Sequence, residues 1–219
     1  MNADTLNGLD LDSLPNFYEQ PPEAARDVEI GLEDDRVLVR TATDRRCFNA
    51  LHIANLAKAM TNLPAPGESW HIVCKGNWPA WALVPRVLDL IAPRKISYLG
   101  IATLGFSRDN ADELLGMLDS GEVGRCHLVF SCYFKSNEET LTGYLTHELN
   151  RRGHRAAAVR NHAKILAFGL DDGTGIVVES SANLRSCRNV ENFCITNDST
   201  LLAFHRDWIG TLLNEGGQR

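Results

Sequence analysis

The sequence predicts an α/β domain in which a mixed sheet is flanked by helices. From Trp70 to about residue 151, short apolar runs alternate with segments of helical periodicity, three times over. From about 155 to 196 the apolar runs follow one another with no room for helices between them, and a helix at 199–213 closes the pattern. Alternation of the first kind favours right-handed crossovers and a largely parallel sheet covered by helices, whereas the second rhythm is that of hairpins.

Each element has a local reason. Residues 37–39 form a short apolar stretch that reads as a strand. Leu51, Ile53, Ala54, Leu56, Ala57 and Met60 recur at helical spacing, which predicts a helix over 47–61, ended by Leu63-Pro64-Ala65-Pro66-Gly67. Strands are expected at 70–74, 95–102 and 126–132, each followed by a helix, at about 78–91, 109–119 and 137–151. Gly153 stops the last of these. Residues 155–160, 162–168 and 175–180 read as short strands, the last two joined through the turn signal Asp171-Asp172-Gly173-Thr174-Gly175. A strand at 191–196 leads into the terminal helix, for which Asp198 or Ser199 is the expected cap.

Composition narrows the class. The chain has 219 residues, 44% hydrophobic and 23% charged, in the ordinary range of a soluble globular protein. Its sequence holds no apolar run near the roughly 20 residues of a membrane span, and its acidic start does not resemble a signal peptide, so no integral membrane association is expected. Cys47, Cys74, Cys126, Cys132, Cys187 and Cys194 include no CxxC pair and read as reduced core thiols, which points to the cytoplasm. Residues 1–47 carry 11 acidic and 5 basic groups, a net of −6, while the remainder carries 17 of each. We therefore divide the chain into an acidic extension, 1–46, flexible or docked on a protein partner, and a domain over 47–219. The neutral domain is compatible with a polyanionic substrate but not with a surface coated in basic groups for tight nonspecific DNA binding.

The chemistry-bearing stretch is Asn161-His162-Ala163-Lys164, followed by Ser180-Ser181-Ala182-Asn183 and then by Asn189-Val190-Glu191. On a strand, His162 and Lys164 project on the same side. An imidazole can attack phosphorus while an ammonium neutralises the nonbridging oxygens, so the pair suits a phosphodiester. Ser181 and Asn183 are expected to orient the lysine or donate to phosphate. Glu191 is expected to hold the far nitrogen of an imidazole and fix its tautomer. Arg185 and Arg188 flank this loop as candidate substrate-phosphate contacts, equally readable as surface arginines. His52, His71, His127, His147, His154 and His205 show no ligand spacing and read as structural; Trp70, Trp78 and Trp81 read as core rather than as base-stacking groups.

In these residues the sequence resembles the phospholipase D superfamily. His162-Ala163-Lys164 matches its HxK, Ser181-Ala182-Asn183 its Ser-x-Asn, and Asn189-Val190-Glu191 the Asn-x-Glu that often follows. The element order from 70 to 213 fits as well. Two positions depart: the motif Asp falls at Gly169, and Ser180 stands where Gly is usual. Branches such as the tyrosyl-DNA phosphodiesterases act without that Asp. The resemblance implies the phospholipase D-like fold and a metal- and cofactor-independent phosphodiesterase acting through a phosphohistidine. It implies His162, Lys164, Asn183 and Glu191 as catalytic, and Ser181, Arg185 and Arg188 as substrate-binding. Family members build one site from two HxK motifs, so a chain with one motif is expected to form a homodimer through the active site. Small single-motif relatives include nucleases, which makes nucleic acid the expected substrate. The competing expectation is an inactive scaffold of the same fold that binds nucleic acid or protein.

Overall fold

The computed structural model describes residues 36–40, 45–48, 60–75, 79–185 and 189–216. In chain order these form β1 (Arg36–Arg40), β2 (Arg45–Phe48) and β3 (Ser69–Lys75), then a 3-10 turn at Ala80–Ala82 leading into α1 (Leu83–Ile91). Next come β4 (Ile96–Thr103), α2 (Arg108–Asp119), β5 (Cys126–Ser131), α3 (Cys132–Asn137) and α4 (Glu139–Arg151). The chain continues through β6 (Arg155–Val159), β7 (Ile165–Leu170), β8 (Gly175–Ser180), β9 (Val190–Asn197) and α5 (Ser199–Gly216).

All described strands belong to one mixed sheet, in the order β2-β1-β3-β9-β8-β7-β4-β5-β6. The β4–β5 and β5–β6 ladders are parallel. The remaining described ladders are antiparallel, so the sheet is mixed, as expected, with its parallel ladders confined to β4–β5–β6. β3 pairs with β9 and β4 with β7, so the β7–β8–β9 meander lies between β3 and β4. Packing explains this insertion. Leu166, Phe168, Ile176 and Val178 enter one core, while Ile165, Ala167 and Val177 enter the other. Strands apolar on both faces belong in the middle of a sheet, covered on both sides.

Helices cover the two faces unequally. Residues of α1, α2 and α4, including Val87, Leu114 and Leu149, pack with β3, β4, β5 and β9 into the larger core. On the other face, Leu202, Ile209 and Leu213 of α5 pack on Tyr98, Val129 and Val177. Trp70 and Trp81 are buried in the larger core, as expected; Trp78 lies outside the described residues. Cys74 and Cys126 are buried, but Cys132 is exposed and Cys194 half-buried, which corrects the reading of these thiols as uniformly core. Asp198 caps α5: its carboxylate accepts from the Thr200 and Leu201 amides at 2.7 and 3.2 Å.

At the start of the sheet, β1 pairs with both β2 and β3. The sheet therefore begins upstream of residue 47. Cys47 and Phe48 are strand, paired with Leu38 and Val37, where helical spacing had predicted the first residues of a helix. Residues 49–59 of that expected helix lie outside the described residues. Cross-strand pairing overrides a helical pattern at a segment's end, where periodicity carries least information.

Candidate active site

The functional residues gather at one edge of the sheet. There β4, β5 and β6 end at Thr103, Ser131 and Val159, β7 starts at Ile165, β8 ends at Ser180 and β9 starts at Val190. Strand direction makes this convergence unavoidable, because β7 and β9 run against β4 and β8.

His162 and Lys164 lie just ahead of β7, not on it, which corrects the expected strand over 162–168. Asn161 is the cause. Its Oδ1 accepts from the Ala163 amide at 2.9 Å, closing a local turn, and its Nδ2 donates to the Thr103 carbonyl at 3.1 Å. Side-chain bonds of this kind substitute for ladder bonds. The ladder resumes where the Ser180 amide donates to the Lys164 carbonyl at 3.0 Å. The two side chains nonetheless meet. Lys164 Nζ lies 3.0 Å from His162 Nδ1, 3.4 Å from Nε2 and 2.9 Å from the His162 carbonyl oxygen. An ammonium here donates to imidazole, so the ring nitrogen that accepts is unprotonated. His162 is exposed and Lys164 half-buried. Partial burial pulls the Lys164 pKa down, and the negative charge of Glu191 pushes it back up.

The neighbouring loop is tied to β9. Ser181 Oγ donates to Glu191 Oε2 and accepts from the Asn192 amide at 3.1 Å. The Ser181 amide donates to the Asn192 carbonyl at 3.1 Å. Glu191 thus joins Ser181 by a hydrogen bond and Lys164 by charge. Asn183 braces the loop against β4: its Oδ1 accepts from the Leu104 amide at 3.2 Å, and its carbonyl accepts from the Ala80 amide at 3.3 Å. The Asn183 Nδ2 makes no hydrogen bond among the described residues. It remains available as a donor. Arg185 is exposed, its guanidinium carbon 5.8 Å from the centroid of the Phe134 ring. Arg188 lies outside the described residues.

The two motif departures have structural counterparts. Gly169 sits within β7, its carbonyl taking the Ser97 hydroxyl at 2.9 Å, and a Cβ there would rest 3.4 Å from Leu202 and Tyr98 side chains. The nearby turn carboxylates are occupied elsewhere. Asp172 pairs with Arg94, and Asp171 accepts from the Lys95 amide at 3.2 Å, fastening the hairpin to the start of β4. Ser180 Oγ donates to the Ala182 carbonyl at 3.2 Å, closing the turn that a glycine would leave open.

Three other histidines are engaged by groups outside the motif. Burial, then the charge of Arg155, pulls His127 down to about 4; its ring meets Tyr98 edge-on at 5.4 Å. His154 Nδ1 accepts from the Cys126 amide at 3.4 Å. His205 Nδ1 accepts from Trp208 Nε1 at 2.9 Å, with Nε2 3.3 Å from Glu179. Among the described residues, no group of three or more His, Cys, Asp or Glu side chains is placed to hold a metal ion. No helix among them is long and apolar enough to cross a membrane.

Sequence reading quoted Asn161 with the motif but gave no role to this residue, which sets the His162–Lys164 geometry. An Asn immediately before an HxK is a detectable turn signal. It also passed over Arg160 and Tyr133, exposed at the same edge, whose placement there depends on strand order.

No family model matches the sequence, and no curated protein matches it. Among solved structures, the fold is similar to that of Nuc, a phospholipase D family member from Salmonella typhimurium. The sequences are 19% identical, the match covers 67% of this chain and 96% of that one, and the TM-score is 0.46.

Proposed function

We propose that this protein is a metal-independent phosphodiesterase, directed at nucleic acid, in which His162 forms a phosphohistidine and two chains share one site. The observation that carries the reading is the 3.0 Å contact between Lys164 Nζ and His162 Nδ1 on an exposed sheet edge. A nucleophile and a charge-stabilising cation are there within reach of one phosphate.

In the first step an unprotonated His162 nitrogen attacks phosphorus, forming N–P and breaking P–O. Lys164 turns from the imidazole to the nonbridging oxygens as their charge grows, and the Asn183 amide donates beside it. The leaving oxygen takes its proton from the imidazolium of the second copy's His162. In the second step water attacks phosphorus and gives a proton to that same imidazole, while N–P breaks. Proton and charge balance are thus restored without a metal-bound water. Ser181 holds Glu191, and the charge of Glu191 opposes the burial that lowers the Lys164 pKa.

The deciding experiment offers the protein bis-p-nitrophenyl phosphate and single-stranded DNA in the presence of EDTA. Turnover is expected, with His162→Ala inactive, because the change removes nucleophile and general acid together. An alkaline denaturing quench should retain labelled phosphate on His162, and an acid quench should lose it. Unchanged activity in His162→Ala, or a strict requirement for added magnesium, would end this mechanism. Inactivity of the unaltered protein on both substrates, with nucleic-acid binding retained, would leave the binding scaffold.

A further inference from the structure

The carbonyl that holds Asn161 and the amide that holds Asn183 belong to one peptide group. Asn161 Nδ2 donates to the Thr103 carbonyl at 3.1 Å, and the Leu104 amide donates to Asn183 Oδ1 at 3.2 Å. A trans peptide points these two groups in opposite directions, so this unit at the end of β4 joins the turn of His162 to the loop of Ser181. A peptide that accepts at oxygen also donates more strongly at nitrogen.

Each bond fixes which end of a side-chain amide is spent. The Leu104 N–H takes the oxygen of Asn183, which leaves Nδ2, a donor, uncommitted among the described residues. Turned over, the same side chain would meet a phosphate with an oxygen. The Thr103 carbonyl takes Asn161 Nδ2, which leaves Oδ1 for the Ala163 amide and so closes the turn that carries His162 and Lys164.

The peptide is itself held. Thr103 is 1% exposed. Its hydroxyl donates to the Gly105 carbonyl at 2.9 Å, closing a ring of chain that contains the Thr103–Leu104 peptide. Gly105 in turn lies against the Phe134 ring, where a Cβ would come within 2.7 Å of it. Phe134 is buried and packs edge-on against Phe106, centroids 4.9 Å apart.

We propose that Thr103 is a positioning residue of the site: its hydroxyl sets the peptide that makes Asn183 offer phosphate a donor, not an acceptor. The use of Asn183 on phosphate rests on the phosphodiesterase reading; the setting of its amide does not.

The test uses the full chain. Thr103→Val and Thr103→Ala both remove the hydroxyl, one at nearly constant shape and one without crowding, and Thr103→Ser keeps it. In isotope-labelled protein, NMR should show the Leu104 amide exchanging about tenfold faster without the hydroxyl and at the unaltered rate in Thr103→Ser. Inorganic phosphate should shift the Asn183 side-chain amide resonance, and loss of the hydroxyl should weaken that titration about tenfold. With bis-p-nitrophenyl phosphate, kcat should fall about tenfold in Thr103→Val and return in Thr103→Ser. Unchanged exchange in both hydroxyl-free variants would overturn the role of Thr103, as would faster exchange with phosphate titration and kcat unchanged. An unaltered protein that cleaves nothing, yet whose phosphate titration depends on the hydroxyl, would uphold the role and remove the phosphodiesterase reading. No phosphate shift at Asn183 in the unaltered protein would overturn the proposal, whether or not that protein cleaves.

Discussion

Lys164 Nζ sits 3.0 Å from His162 Nδ1, and the contact is made from a turn that precedes β7 rather than from the strand. The proposed chemistry depends on that turn. Its most direct consequences concern the residues that hold it and the charge that surrounds it.

Glu191 raises the Lys164 pKa against the effect of burial. Removing that charge with Glu191→Gln should lower the Lys164 pKa further. Catalysis that needs the ammonium would then be lost at lower pH, so the alkaline limb of the pH–rate profile should move down. An unmoved limb would show that Glu191 does not govern the lysine.

Asn161→Ala deletes two hydrogen bonds that shape the site, to Ala163 and to Thr103. Stability should fall by roughly 1–2 kcal/mol, while kcat should fall at least about tenfold with little change in KM. Asn161→Asp keeps the acceptor for the Ala163 amide but loses the donor to Thr103, and should lie between. Equal kcat in all three proteins would make Asn161 structural only.

Lys164→Ala should lower kcat by about 10²–10³-fold, the usual consequence of removing one transition-state charge partner. The thermal transition should survive, since Lys164 is only half-buried. A loss of activity matched by a loss of folding would remove the assignment.

Gly175 opens β8 against the start of α5. A Cβ there would lie 2.7 Å from Ser199 Cα and 3.0 Å from the Asp198 carbonyl oxygen, both backbone. Gly175→Ala should therefore cost about 1–3 kcal/mol in denaturant unfolding. Loss of the cap in Asp198→Ala should cost about 1 kcal/mol, and kcat should hold in both.

Stability should fall as the solution is acidified from about 6.5 toward 4. His127, held at about 4 mainly by burial, stays neutral in the fold while its unfolded counterpart takes a proton. His154 and His205 are lowered in the same direction, also mainly by burial. The stabilisation is complete above the unfolded value near 6.5 and is lost as pH drops through the folded values. Urea midpoints across that window should show the slope, and His127→Gln should reduce it.

The sequence by itself determined the alternation of strands and helices from β3 to α4, the β7–β8 hairpin and the terminal helix. These follow from local periodicity and turn chemistry, such as the Asp171–Gly175 signal. It also identified His162 and Lys164 as near neighbours, because two residues separated by one sit close in either a turn or a strand. Tertiary structure alone decided the strand order, since side-chain period carries no information about which strand lies beside which. It decided that Ser181 engages Glu191, that Asn183 braces Leu104, and that Arg185 lies over the Phe134 ring. Those pairs join residues far apart in the chain, and only the antiparallel insertion of β7, β8 and β9 between β3 and β4 brings their strand ends to one edge.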